Sequence, residues 1–321
     1  MDIAILHALQ QLRESSPSII ETILSMISFI GDGPGLVAIV LIVYWGIDKR
    51  AGTFAMASFG TSNFVCQFIK NIACVYRPWV RDPTITPAAS ALEGAGGYSF
   101  PSGHTAGATS SLGSLAWAWR KKHRWVMVVA VIIVLLMMFS RLFLGVHTPQ
   151  DVLVGLLVAL IVIALMHAFF SWIERCDAMT PGHNKDIIVM VVALAICVIS
   201  VIVVQVKPYP MDYVDGALLV DPVTMQKGSL EAAGIVAGFV ISWVLERRIV
   251  GFSTEGIDTR SRVIRVIIGV VLVGIAFLGG NALFKLFMPV NYAKMITYFT
   301  VVIFGVFLAP LAFNKFENRG K

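Results

Sequence analysis

Charge is what this 321-residue chain has least of: 14% of its residues are charged, against 57% hydrophobic. A soluble domain carries about 25% charged residues. A soluble globular fold is excluded on that ground, and the long apolar runs read as membrane spans. Cysteine is scarce too. Cys66, Cys74, Cys176 and Cys197 form no C-x2-C pair, which argues against a zinc site or a disulfide framework. All but Cys176 fall within expected helices, where a thiol packs as a small apolar group. No basic stretch with a small-residue cleavage site opens the chain, so no secretory signal is expected, and no lipidation signal stands out. The net charge of +6 reads as topogenic, and nucleic acid is not an expected partner.

A spanning helix needs about 20 mostly apolar residues. On that scale the expected spans lie near 18–47, 51–73, 103–119, 125–146, 150–172, 187–206, 229–249, 263–287 and 291–313. The first is interrupted by Gly31-Asp32-Gly33-Pro34-Gly35, which breaks a helix. A half-inserted helix at about 18–30 and a short span from about 35 are expected there. Residues 3–14 set Ile3, Leu6, Leu9 and Leu12 against Gln10, Gln11, Arg13 and Glu14, the pattern of a surface-lying amphipathic helix. The fold class is all-α, a polytopic membrane helix bundle. Its expected parts are an N-terminal amphipathic segment (1–17), a core (18–206), and an outer loop with a three-helix C-terminal extension (207–321).

Orientation follows from Lys and Arg in the loops, which accumulate on the cytoplasmic side. Lys49-Arg50, the run Arg120 to Arg124, Arg175 with Lys185, Arg247 to Arg265, and Lys315, Arg319 and Lys321 all lie at one set of helix ends. The N-terminus is thus expected outside, the C-terminus inside, and the loop 207–228 with Asp212, Asp215 and Asp221 outside. Those aspartates do not have EF-hand spacing and read as a solvated acidic loop.

Three polar segments converge on the outer face by this topology: Lys70-x6-Arg77-Pro78, Pro101-Ser102-Gly103-His104 and Ser140-Arg141-x5-His147-x3-Asp151. A phosphate monoester carries about −1.5 to −2 charges near neutral pH. Arg77 and Arg141 offer planar forks for its oxygens, and Lys70 adds a point charge. Lys70 and Arg77 would share a helix face if the helix ran that far, with Pro78 ending it. Ser102 and Gly103 open a helix, whose N–H groups favour an anion and whose glycine permits close approach. His104 beside them suits a general acid that protonates a departing oxygen. Thr148 reads as an N-cap with Pro149 in the first turn. That places His147 just before a helix and Asp151 one turn in. A carboxylate on one imidazole nitrogen leaves the other free to attack phosphorus. The expected site is therefore catalytic His147, His104 and Asp151, with Lys70, Arg77, Ser102, Gly103 and Arg141 on the phosphate. No metal and no cofactor are required, since the cations stabilise the charge.

These segments, in this order, resemble the signature of the type 2 phosphatidic acid phosphatase (PAP2) superfamily, K-x6-R-P, P-S-G-H and S-R-x5-H-x3-D, matched at every specified position. The resemblance covers roughly residues 18–206. It implies a metal-independent phosphatase with a six-span core, phosphate binding by Lys70, Arg77, Ser102, Gly103 and Arg141, acid–base work by His104, and a His147 nucleophile oriented by Asp151. About three further spans follow that core.

The expected activity is hydrolysis of a lipid phosphate or polyprenyl diphosphate at the outer face through a phosphohistidine. Expected partners are that substrate, membrane lipids and at most a second copy in a homodimer. Loop charge bias fits a bacterial inner membrane. Two alternatives stand beside this reading. One is a phosphatase for soluble sugar phosphates, suggested by a nine-span layout similar to glucose-6-phosphatases. The other is a lipid transporter or scramblase built on the C-terminal spans. Asn281, Lys285 and Lys294 are expected to serve interhelical bonding and snorkelling, and Asp32 a turn. Gly94, Gly96 and Gly97 are expected to make the 79–100 loop mobile, as a lid or a plain connector.

Overall fold

The computed structural model describes residues 2–31, 33–179, 182–214 and 216–318. Asp32, Asp215, Arg319 and Lys321 lie outside the described residues. The helices are α1 (Asp2–Ser15), α2 (Ser18–Ile30), α3 (Pro34–Ile42), α4 (Lys49–Ala73), the short α5 (Pro78–Arg81) and α6 (Ala89–Leu92), α7 (Gly103–Trp119), α8 (Arg124–Phe143), α9 (Pro149–Met179), α10 (Asn184–Val206), α11 (Pro222–Leu245), α12 (Thr259–Phe284), α13 (Val290–Ile303) and α14 (Ala309–Asn318). One two-residue hairpin pairs Tyr213–Val214 with Ala217–Leu218. The protein is an all-α, multi-pass membrane helix bundle.

Among the described residues, six helices are long and apolar enough to cross a membrane: Arg124–Phe143, Pro149–Met179, Lys185–Val206, Pro222–Val250, Thr259–Phe284 and Val290–Glu317. The expected spans at 51–73 and 103–119 do form helices, α4 and α7. They are more polar than the six because they are inward-facing. Ser110, Ser111 and Ser114 of α7 are buried, and Ser111 donates to the Gly107 carbonyl at 2.6 Å. Small residues let neighbouring helices approach closely. The first expected span is split, as its glycines dictate. The end of α2 is capped at Gly31, Gly33 takes a φ of 82°, and α3 restarts at Pro34.

The chain divides into two compact units, residues 1–38, 61–163 and 208–225, and residues 39–60, 164–207 and 226–321. In the first unit, α1 docks on protein rather than lying free. Leu6 and Arg13 are buried, and the Arg13 guanidinium donates to the Phe143 carbonyl at 3.1 Å and to the Thr86 carbonyl. The 79–100 segment, expected to be mobile, is packed. Ala88, Ala91 and Ala95 join Leu24, Phe143, Leu144 and Val146 in one apolar cluster, and the Ala88 N–H donates to the Leu144 carbonyl at 3.0 Å. Its alanines bury where its glycines suggested freedom.

In the second unit, α11 meets α13 through Gly234 and Gly238. A Cβ at Gly234 would lie 2.4 Å from the Met295 carbonyl oxygen, and one at Gly238 would lie 2.8 Å from that of Phe299. This four-residue glycine spacing brings two backbones together. Lys294 there faces Lys227 and Glu231 across the same helix pair. The four cysteines are free thiols; Cys74 lies just past α4 and Cys176 within α9, the reverse of the expectation for those two.

Candidate active site

His147 sits between α8 and α9, and three local features fix it. Gly145 takes a φ of 71°, which turns the chain out of α8. Thr148 and Asp151 then form a reciprocal cap on α9. The Thr148 N–H donates to Asp151 Oδ2 at 2.8 Å, and the Asp151 N–H donates to Thr148 Oγ1 at 3.3 Å. The same Oδ2 lies 3.3 Å from His147 Nδ1. Asp151 therefore starts the helix and orients the imidazole with one carboxylate. Both side chains are about 1–2% exposed.

The other imidazole nitrogen, Nε2, faces Arg77 Nη1 at 3.1 Å. A guanidinium only donates, so Nε2 presents its lone pair there and Nδ1 carries the proton toward Asp151. Arg77 is itself held by backbone oxygens. Nη1 donates to the Val146 carbonyl at 2.8 Å, Nε to Gly97 at 3.2 Å and Nη2 to Gly96 at 3.4 Å. The Lys70 ammonium donates to the Tyr98 carbonyl at 3.2 Å. Arg141, 1% exposed, donates from Nη1 to the Ser28 hydroxyl of α2. The charges of Arg77, Arg141, Lys70 and His104 all bear on His147. Burial first, and then those four charges, push its pKa well below the usual 6.5. A neutral imidazole is the nucleophilic form.

The Pro101–His104 turn closes on α9. The Ser102 N–H donates to the Asp151 backbone carbonyl at 2.9 Å. Ser102 Oγ caps α7, accepting from the Thr105 N–H at 3.4 Å and the Thr105 hydroxyl at 3.1 Å. A hydroxyl that accepts twice keeps its own proton for donation. A Cβ at Gly103 would meet no heavy atom within 4 Å, so the backbone borders open space there.

All eight expected residues thus come together in one unit, with one correction to the local geometry. Lys70 and Arg77 do not share a helix face. The helix stops at Ala73, Cys74 takes a left-handed φ of 49°, and Arg77 precedes Pro78 in an extended conformation. Proline disfavours helix in the residue before it, which aims Arg77 away from the α4 axis.

Sequence reasoning missed several supports. Ser28 carries no motif. Gly155 is needed because a Cβ there would lie 2.6 Å from the Ser102 carbonyl oxygen. The Ser99 hydroxyl donates to the Tyr76 carbonyl at 3.2 Å, beside the turn that carries Arg77. The 96–98 carbonyls that hold the cations carry no side-chain signal at all.

One further cluster has ligand-like residues. Asp177, His183 and Asp186 bring their ligand atoms within 4.8 Å of one another. Arg247 already sits among them, 2.8 Å from Asp186 and 2.7 Å from His183 Nδ1. The cluster is an ion network that fastens α9 and α10 to the helical turn following α11.

Comparison with protein families gives two matches. A model described as PAP2 superfamily matches residues 51–175, and one described as PAP2 superfamily phosphatase, transmembrane extension, matches residues 230–321. No curated protein and no solved structure matches.

Proposed function

We propose, from the premise that this chain belongs to the PAP2 superfamily and is a membrane phosphatase, that it hydrolyses lipid phosphates or polyprenyl diphosphates at the outer membrane face through a phosphohistidine on His147. The observation that carries the reading is the two-sided hold on that imidazole, with Asp151 at Nδ1 and Arg77 at Nε2.

In the first step the Nε2 lone pair attacks phosphorus, a P–N bond forms and the P–O bond to the leaving group breaks. His104, as imidazolium, gives its proton to the departing oxygen. Lys70, Arg77 and Arg141 neutralise the phosphoryl oxygens, and the Ser102 hydroxyl and the backbone at Gly103 add donors. In the second step neutral His104 takes a proton from water, the water oxygen attacks phosphorus and the P–N bond breaks. Inorganic phosphate leaves and both histidines return to their starting states. The cations supply the charge stabilisation, so no metal is required. The core that performs these steps is assigned to residues 18–206, and the clustering of loop Lys and Arg at the opposite helix ends supports an outward site.

The test is phosphate release by the purified protein in excess EDTA, wild type beside His147→Ala. The panel holds undecaprenyl diphosphate, phosphatidic acid, phosphatidylglycerophosphate, sphingosine phosphate and glucose 6-phosphate. Release from lipid substrates by wild type alone is expected. Release from glucose 6-phosphate alone would replace the lipid reading, and loss in EDTA restored by magnesium would overturn the cation-only site.

A further inference from the structure

Helix α2 carries a polar stripe beside exposed apolar side chains. Ile19, Ile23, Met26 and Phe29 are exposed, Phe29 by 79%. Yet Ser18, Glu21, Thr22 and Ser25 line a groove of about 520 Å³, with Ser90 across from them. Ser25 and Ser90 join hydroxyls at 2.8 Å, and the Ser90 hydroxyl reaches Glu21 Oε1 at 3.5 Å. One serine does not fill a space that lies within the usual range for a small-molecule site, about 300–1,000 Å³. The Ser90 hydroxyl supplies one hydrogen bond to the Glu21 carboxylate, which has about four acceptor sites, so acceptor capacity remains for a ligand in the groove.

The stripe continues toward the phosphate cations. Ser28 lies three residues past Ser25, on the same helix face, and its hydroxyl holds Arg141. At a rise of about 1.5 Å per residue, Ser25 sits about 4.5 Å and Glu21 about 10.5 Å along the axis from Ser28. A phosphate on Arg141 would leave the first atoms of its alcohol beside Ser25 and the next few beside Glu21. The exposed isoleucines, Met26 and Phe29 would take the tail.

Resting on the phosphatase reading above, we propose that this groove is the leaving-group subsite, and that Glu21 and Ser25 select lipid phosphates whose alcohol carries a hydrogen-bond donor, a hydroxyl or an ammonium, close to the phosphate. An ionised carboxylate only accepts, so it rewards a donor and gives nothing to a bare hydrocarbon. Polyprenyl chains offer no donor there.

The test is steady-state kinetics in mixed micelles with three monophosphates: sphingosine phosphate, which carries ammonium and hydroxyl; lysophosphatidic acid, which carries hydroxyl alone; and a polyprenyl phosphate, which carries neither. Wild type should prefer the first two. Glu21→Gln should raise KM for the ammonium substrate about tenfold or more, the size of a lost charge-assisted hydrogen bond. Its effect on the hydroxyl substrate should be smaller, and Ser25→Ala should raise KM for both. The polyprenyl substrate should be affected least in each variant, and a melting temperature in detergent close to wild type shows that both fold. A wild type that prefers the polyprenyl phosphate, or variants that shift all three substrates equally or none, would overturn the subsite and leave the phosphatase standing. A wild type that releases no more phosphate than His147→Ala from every substrate would remove both.

Discussion

Arg77 Nη1 lies 3.1 Å from His147 Nε2, although seventy residues separate them in the chain. A fixed cation is thus placed against the nitrogen that the proposed mechanism uses as the nucleophile. The contact also presets the tautomer, since a guanidinium can only donate and the imidazole must accept.

That environment fixes a pH signature. Burial and four neighbouring positive groups hold the His147 pKa well below 6.5. A lowered pKa keeps the imidazole neutral as pH falls, so the nucleophile survives to more acid conditions than an ordinary histidine would allow. The acid limb of kcat/KM, which reports the free enzyme, should fall below pH 6.5 once the substrate's own ionisation near about 6 is divided out. A limb at or above 6.5 would contradict the assignment.

Asp151 both caps α9 and orients His147, and the two roles separate by mutation. Thr148→Ala removes one half of the cap and should cost about 0.5–2 kcal/mol of stability with kcat little changed. Asp151→Asn can still accept from the Thr148 N–H but loses the charge beside the imidazole. Its kcat should fall by up to about 10⁴-fold, with a melting temperature close to wild type. Thermal unfolding in detergent and turnover, measured side by side, decide between them.

Two glycines should answer differently to one methyl group. At Gly155 a Cβ would meet the Ser102 carbonyl at 2.6 Å. Gly155→Ala should therefore lose about 1–3 kcal/mol of stability as well as activity. At Gly103 nothing lies within 4 Å. Gly103→Ala should fold as wild type and lose activity, because the methyl group takes space that the proposed mechanism gives to phosphate. Unchanged turnover in Gly103→Ala would mean that phosphate does not approach there.

The orientation makes a separate claim. Ser90 is exposed, in the segment that the loop-charge bias predicts to lie outside. Ser90→Cys should react with an impermeant maleimide on intact cells. Reaction only after permeabilisation would reverse the topology.

The charged residues of this site were legible because burying charge in a bilayer is costly, and few residues bear it without a role. Loop charge brought the three segments to one face, and the cap at Thr148 was readable from Thr-Pro ahead of an apolar run. The path between Lys70 and Arg77 was not. Helix periodicity predicts a shared face, whereas a left-handed Cys74 and the constraint ahead of Pro78 redirect the chain. Ser28, Gly155 and the carbonyls of residues 96–98 were invisible because their roles arise from contacts between distant segments. The 79–100 segment misled for the same reason, since its glycines are local and the packing of Ala88, Ala91 and Ala95 is not.

The most direct test of the mechanism is rapid-quench trapping of the phosphoenzyme with the preferred substrate. A stoichiometric, acid-labile and alkali-stable phosphate is expected on the peptide holding His147, formed before steady-state release and missing from His147→Ala. A phosphate found on another residue, or burst-free turnover that persists in His147→Ala, would contradict it.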